Sequence, residues 1–413
     1  MANLTLSSSI IPIATTSVLK ATPVSPDGLT LIPVSKLDLR SDSDIISQLK
    51  TYVAVTTEKN VWAYWNTGFD NMTPWVQRSI INWVRRLGSC WTIRVLDSVE
   101  GSPVHISKFV DDSHFPAAFN ENKMTGPHVG PHSGDLVRLP LLYTYGGVWI
   151  DAGMFLFRDI DDICWDIIED QENPYEMAGF IIEIRPNVQT MLNGFIAAKK
   201  NNDFIKRWHE MYVALWEGVT ESKGFHKHPL LTHLPLLNPP VDKLNCPDLD
   251  LAMGDFSDYL AHLMCFERIR KLVDPADGFN GPAYFREKMF LLPTMREMWY
   301  FQDVTGWSGT KQFDLLSAKR DSGNTEAELF VNNLLANTST MKLSHGPPGA
   351  LASFLANIWD LEENHNKDID VGTYAEFLRY GSVHFKQTRT LEPVKLEISD
   401  EQVLEVGFLE TNM

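Results

Sequence analysis

Cysteine is scarce in this chain: four in 413 residues, Cys90, Cys164, Cys246 and Cys265, far apart and without a CxxC pair. That spacing excludes a disulfide framework and a zinc ribbon, and leaves reduced, mostly buried thiols as the reading. Basic charge is also in deficit, with 36 Lys and Arg against 53 Asp and Glu and a net charge of -17. Nucleic acid and anionic membrane both need a basic footprint, so neither is expected as a partner. An anionic small ligand must instead be met by cations placed locally. No apolar run approaches the roughly 18 residues that span a bilayer. No lysine or arginine precedes Lys20, and residues 10–14 are too short for the apolar core of a signal peptide, so a cytoplasmic location is expected. Internal repeats and low-complexity tracts are missing too.

What is present is globular: 44% apolar residues and 12 Trp, in a length that exceeds a typical single core. One large α/β domain with additions, or two lobes, is the expectation. Residues 61–65 form a strand by their aromatic and β-branched content, with Asn66, Thr67 and Gly68 as the turn after it. Thr73-Pro74 opens a helix through Val76, Ile80, Val84 and Leu87 to Gly88, with Arg85 and Arg86 at its negative end. Residues 91–97 alternate as a second strand, so strand, helix and strand begin a doubly wound sheet. A polar connection from Glu100 to Pro131 follows. Asp159, Asp161 and Asp162 read as a solvated acidic turn, and His226, His228 and His233 as loop histidines without ligand geometry. A strand over 178–184 and helices over 190–198 and 204–215 are expected next.

Residues 132–151 carry the most chemistry in the least length. Ser133 can cap a helix that presents Leu136, Leu139, Leu142 and Tyr143 on one face, and Gly146-Gly147 ends it. Pro140 is expected to kink it. Val148-Trp149-Ile150 then makes a short interior strand and delivers Asp151 to its carboxyl end, where open α/β sheets bind ligands. Asp135 and Arg138 lie three apart on one helical face. A guanidinium pairs with phosphate oxygens, one carboxylate accepts hydroxyl protons and another holds a divalent cation, which together suit a sugar attached to a diphosphate. A capping acid and a structural Arg–Asp pair would use the same residues, and residue types alone leave both open. Tyr64 and Trp65 are either core aromatics or a stacking platform for a base.

The run Ser133-Gly134-Asp135-Leu136-Val137-Arg138, with Leu141-Leu142-Tyr143 and then Tyr145-Gly146-Gly147-Val148-Trp149-Ile150-Asp151, resembles the sugar-binding signature of the capsular polysaccharide synthesis-type glycosyltransferases. These are relatives of the DxD-bearing α-mannosyltransferases and of the clostridial glucosylating toxins. The resemblance extends to Tyr64, Trp65 and Gly68 and to residues 192–198. It implies an α/β GT-A fold, a Rossmann-like mixed sheet with helices on both faces and helical additions. It also implies a nucleotide-sugar donor such as a UDP-sugar or GDP-mannose, and transfer of a hexose to an acceptor hydroxyl with retention of configuration.

Carried over by position, the resemblance makes Asp135, Arg138 and Asp151 catalytic. Tyr64, Trp65, Gly147, Trp149 and Asn193 join Asp135 and Arg138 in binding the donor. Asp151 would ligate Mn or Mg, with His345 from a closing loop around Lys342-Leu343-Ser344-His345-Gly346. The sequence departs from the DxD pattern at Asp151-Ala152-Gly153, where glycine replaces the second acid. A non-catalytic sugar-nucleotide or glycan binding protein is therefore the rival, and phosphosugar transfer a third reading. The expected organisation is an irregular arm over 1–57 and a donor-binding and catalytic domain over 58–350, with acceptor-side insertions at about 215–300. A helical extension and acidic tail occupy 351–413. The acceptor, a small molecule or a glycan, is left open.

Overall fold

Alternation along a short strand sets the architecture. The computed structural model describes residues 25–244, 252–346, 354–396 and 403–411. In strand β3 (Gly147–Ile150), reached after β1 (Asn60–Tyr64) and β2 (Thr92–Leu96), Val148 and Ile150 enter one buried apolar cluster. Trp149 enters another on the opposite face. Successive side chains of a strand point to opposite faces, so the sheet divides two cores. Both are large, and helices cover each.

Strand β4 (Met154–Leu156) follows, then β5 (Met177–Arg185), β6 (Val188–Ala198), β7 (Met289–Pro293) and β8 (Thr340–Lys342). The six-stranded sheet has the order β2-β1-β3-β6-β5-β7. β1 runs parallel to β2 and β3, β6 is antiparallel to both β3 and β5, and β7 is parallel to β5. This is the mixed α/β sheet, helices on both faces, that the resemblance implies. Helix α1 (Pro74–Leu87) packs in the Val148 core, while α2 (Val129–Tyr145), α3 (Asp203–Leu215) and α4 (Ala261–Lys271) supply the Trp149 core.

Several expectations change. Residues 190–198 are strand, not helix: β6 lies between β3 and β5, and its two buried faces leave an unbroken apolar run whose period is unreadable. Helix α2 begins at Val129, four residues before the expected cap, and the Ser133 hydroxyl donates to the Val129 carbonyl at 2.7 Å. The helix continues through Pro140 to Tyr145. The three aspartates are paired rather than solvated: Asp159 with Arg86 at 2.8 Å, Asp161 with Lys59 at 3.0 Å, Asp162 with Lys386 at 2.8 Å.

The ends of the chain hold regular structure as well. Of the arm expected over 1–57, residues 1–24 lie outside the described ones. The rest contains a strand, Leu29–Leu31, and a helix, Asp42–Leu49, whose start is capped by the Ser41 hydroxyl. Leu29–Leu31 pairs antiparallel with Phe385–Gln387, just beyond helix α5 (Tyr374–His384). Part of the acidic tail, 397–402 and 412–413, is outside the described residues. The region expected as an insertion over 215–300 ends before Met289, because β7 belongs to the main sheet.

Candidate active site

Two glycines connect α2 to β3, both at positive φ, Gly146 at 67° and Gly147 at 101°. A Cβ on Gly147 would stand 2.5 Å from the Asn60 carbonyl oxygen, so only glycine lets β3 enter the sheet against β1. Gly147 thus serves the backbone at the opening end of the strand, about 13 Å of strand away from Asp151. The parallel pairing of β1 with β3 does bring Tyr64 and Trp65 to the edge that carries Asp151.

Arg138 is the hub of the site. Its Nη2 lies 2.9 Å from Asp135 Oδ1 and 3.7 Å from Asp151 Oδ1, and its Nη1 donates to the Asn193 carbonyl. The guanidinium also sits 4.9 Å from the centre of the Trp149 ring, within cation–π range. Asn193 Nδ2 donates to Asp135 Oδ1 at 2.9 Å and faces His262 Nδ1 at 3.1 Å. Trp149 Nε1 donates to Asp151 Oδ1 at 2.8 Å. Asp135 and Arg138 from α2, Trp149 and Asp151 from β3 and its end, and Asn193 from β6 are therefore brought together, Asn193 from a strand where a helix was expected.

Charge balance inside this cluster is tight. Burial works to raise the Asp135 carboxyl, but Arg138, then the His262 and His132 rings, overcome it and hold it at about 2. Asp151 is lowered in the same way: burial opposes ionisation, and Lys342 and then Arg138 outweigh it. His262 goes the other way, its burial pressing it down to about 3 against the pull of Asp135. A neutral His262 accepts from Asn193 at Nδ1, which leaves its proton on Nε2, a buried atom with no hydrogen-bond partner among the described residues.

Lys342 is the residue that sequence reading missed, naming it only as part of a loop. It ends β8, which pairs antiparallel with β4 so that Lys342 stands opposite Met154, and its Nζ reaches Asp151 Oδ2 at 2.7 Å. Nothing local in the sequence shows that 340–342 pairs with 154–156. Tyr259 is a second addition: burial, then the charges of Asp135 and Asp151, push its hydroxyl up to about 12. Its ring lies 4.5 Å from that of His128, at the amino end of α2. Tyr64 is buried and its hydroxyl is 2.7 Å from Ser98 Oγ. Trp65 is half-buried against the core.

The metal set expected from the resemblance does not assemble. His345 Nε2 is 2.7 Å from Asp360 Oδ2, a carboxylate that also accepts from Trp75 Nε1 at 2.7 Å, so His345 is committed away from Asp151. Gly153 has no room for an acid, because a Cβ there would stand 2.9 Å from the Leu343 carbonyl oxygen. Among the described residues no group of three or more His, Cys, Asp or Glu is placed to hold a metal ion. Asp151 faces an ammonium, a guanidinium and an indole N–H, which is the environment of a carboxylate already neutralised. These residues do not fit a divalent cation held by the protein.

Comparison with known proteins agrees with the sequence signature. The family described as "Capsular polysaccharide synthesis protein" matches residues 36–226. The chain is 61% identical over 394 residues to the O-glycosyltransferase braB of Annulohypoxylon truncatum, covering 93% of this chain and 94% of that protein. It is 46% identical to the glycosyltransferase afumC of Aspergillus fumigatus, over 90% of this chain and 96% of that one. It is 44% identical to the O-glycosyltransferase PaGT of Phomopsis amygdali, over 90% of this chain and 93% of that one.

Proposed function

Because the chain belongs to the capsular polysaccharide synthesis-type glycosyltransferase family, we propose that it transfers a hexose from a nucleotide-diphosphate sugar, such as a UDP-sugar or GDP-mannose, to an acceptor hydroxyl. The observation that carries this reading is the cluster of buried Arg138 and Asp135 with partly exposed Asp151 and Asn193 at the carboxyl end of β3. In a chain of net charge -17, Arg138 and Lys342 both reach this one edge, each against a carboxylate, and both can turn to the phosphate oxygens of a ligand there. Asp135, an ionised acceptor beside Arg138, suits the hydroxyls of a sugar, and the guanidinium suits phosphate oxygens. Tyr64 and Trp65 border the same edge and would take the base. Two relatives named O-glycosyltransferases support a hydroxyl as the acceptor.

The cluster would hold the donor's anomeric carbon while charge develops on the leaving diphosphate, the place where fixed donors contribute most to rate. We read the transfer as retaining, which would place the acceptor on the face the diphosphate leaves. We read 58–350 as the donor-binding and catalytic domain, its acceptor side built from the segment between α3 and β7. No helix among the described residues is long and apolar enough to cross a membrane, and a cytoplasmic location is our reading.

Incubation with a panel of nucleotide sugars, with products identified by mass spectrometry, tests this function. Release of nucleoside diphosphate is the expected result. Release of nucleoside monophosphate would turn the reading to phosphosugar transfer, and binding without any release would turn it to a sugar-nucleotide binding protein.

A further inference from the structure

Asp151 occupies the place where the family carries its first metal-binding acid, yet the group it faces is an amine. We propose that the Lys342 ammonium supplies the positive charge for the donor diphosphate and that Asp151 positions this lysine, with no divalent cation needed. The proposal rests on the nucleotide-sugar reading above. Three separate features carry it.

The first is contact: Lys342 Nζ is 2.7 Å from Asp151 Oδ2, and with side chains 19% and 25% exposed both remain within reach of a ligand. The second is rigidity of delivery. Lys342 ends a strand whose register against β4 is fixed, and the next residue continues the ladder, with Leu343 N donating to the Gly153 carbonyl at 3.0 Å. A lysine on a paired strand loses less freedom on binding than one on a loop. The third is space. A Cβ at Gly194 would stand 2.5 Å from Lys342 Nζ and 2.9 Å from Asp151 Oδ2, so glycine on β6 leaves the opening that the ammonium fills. At Gly153 the Leu343 carbonyl fills the space a second acid would need.

One substitution of parts therefore explains three features. Where a DxD site has two acids and a cation, this one has one acid and a lysine. In the transfer step the bond from the anomeric carbon to the diphosphate oxygen breaks and its electron pair moves onto that oxygen. The acceptor oxygen bonds to the anomeric carbon, and its proton passes to the departing diphosphate. Lys342 keeps its protons throughout and lends its charge to the phosphate oxygens, with Asp151 holding it in line. Arg138, 3.7 Å from the same carboxylate, supplies the second charge.

Calorimetric titration of the full chain with UDP and with GDP, in EDTA and again with Mn2+, tests the assignment. Electron paramagnetic resonance of free Mn2+ runs alongside on the unmodified protein. We expect one of the nucleotides to bind with the same affinity, within about threefold, in both conditions, and the protein to leave the Mn2+ signal unquenched. Lys342→Met should lose at least tenfold in nucleotide affinity and about a hundredfold in turnover, the order seen when one charge-stabilising donor is removed, and Mn2+ should not restore either. Lys342→Arg should recover part of the affinity. Binding that appears only with Mn2+, or Lys342→Met binding as tightly as the parent, overturns the lysine assignment and leaves the transferase reading standing. No binding of either nucleotide in either condition overturns both. Quenching of the Mn2+ signal by protein with nucleotide beyond that given by the nucleotide alone also overturns it, and needs no variant to fold.

Discussion

A single guanidinium holds the site together. Arg138 touches Asp135, Asp151, the Asn193 carbonyl and the Trp149 ring, and it is buried. Arg138→Met would strand the Asp135 carboxylate among apolar and neutral groups, and removal of one partner of a buried pair costs about 3–5 kcal/mol. Urea unfolding of the variant should show that loss, with nucleotide-sugar turnover lost as well. The histidines give a pH signature. His262 and His209 are held down to about 3 and about 4 by burial, below the ordinary value of 6.5, so folding favours their neutral forms. Their contribution is complete above pH 6.5 and is lost as pH falls toward the folded values, at about 1.4 kcal/mol per pH unit for each group. The melting temperature should therefore decline from pH 6.5 to 4, and His209→Gln should make that decline shallower. Asp135, Arg138 and Asp151 could be named from the sequence because one helix and the strand after it carry all three. Lys342 could not, since its place depends on a pairing between segments far apart in the chain.

At the scale of elements, the junction of β3, β4 and β8 decides what the site can hold. Restoring the second acid with Gly153→Asp is expected to destabilise rather than create a metal site, because its Cβ would press on the Leu343 carbonyl at 2.9 Å and on the Trp75 ring at 3.3 Å. Overpacking of this kind costs about 1–3 kcal/mol. A thermal melt should show the loss, and calorimetry with Mn2+ should show no gain in binding. Helix α1 and strands β1 to β3 could be read from caps, glycines and alternation. Strand β6 could not, since burial on both faces erases the period that tells strand from helix. The start of α2 was misplaced for a related reason: Ser133 looks like a cap in sequence, but its hydroxyl turns back to the Val129 carbonyl inside the helix.

Over the whole molecule, the C-terminal segment locks the sheet's helical cover. Asp368 is buried and pairs with Arg78 of α1 at 2.5 Å and with Arg379 of α5 at 2.6 Å. Arg379 also donates to the Trp75 carbonyl at 2.8 Å, two residues along the chain from Thr73. Asp368→Ala should cost about 3–5 kcal/mol by leaving two buried guanidinium groups against each other. Limited proteolysis should then cut between β8 and α5 in the variant before it cuts the parent. The Asp135, Arg138 and Asp151 set was legible because it rests on a local run of twenty residues or fewer, and β1, α1 and β2 because each carries its own local signal. The docking of α5, and the strand pair that joins Leu29–Leu31 to Phe385–Gln387, depend on tertiary contacts that no periodicity records.

On the proposed function, a nucleotide sugar is turned over at the Arg138, Asp135 and Asp151 cluster. The most direct measurement is the rate of nucleoside diphosphate release from the best donor by the parent chain and by Asp151→Ala, with circular dichroism confirming that the variant is folded. Steady release by the parent and a fall of at least about a hundredfold in the variant are the expected results. Release by Asp151→Ala at the parent's rate, or no release by the parent from any nucleotide sugar, would contradict it.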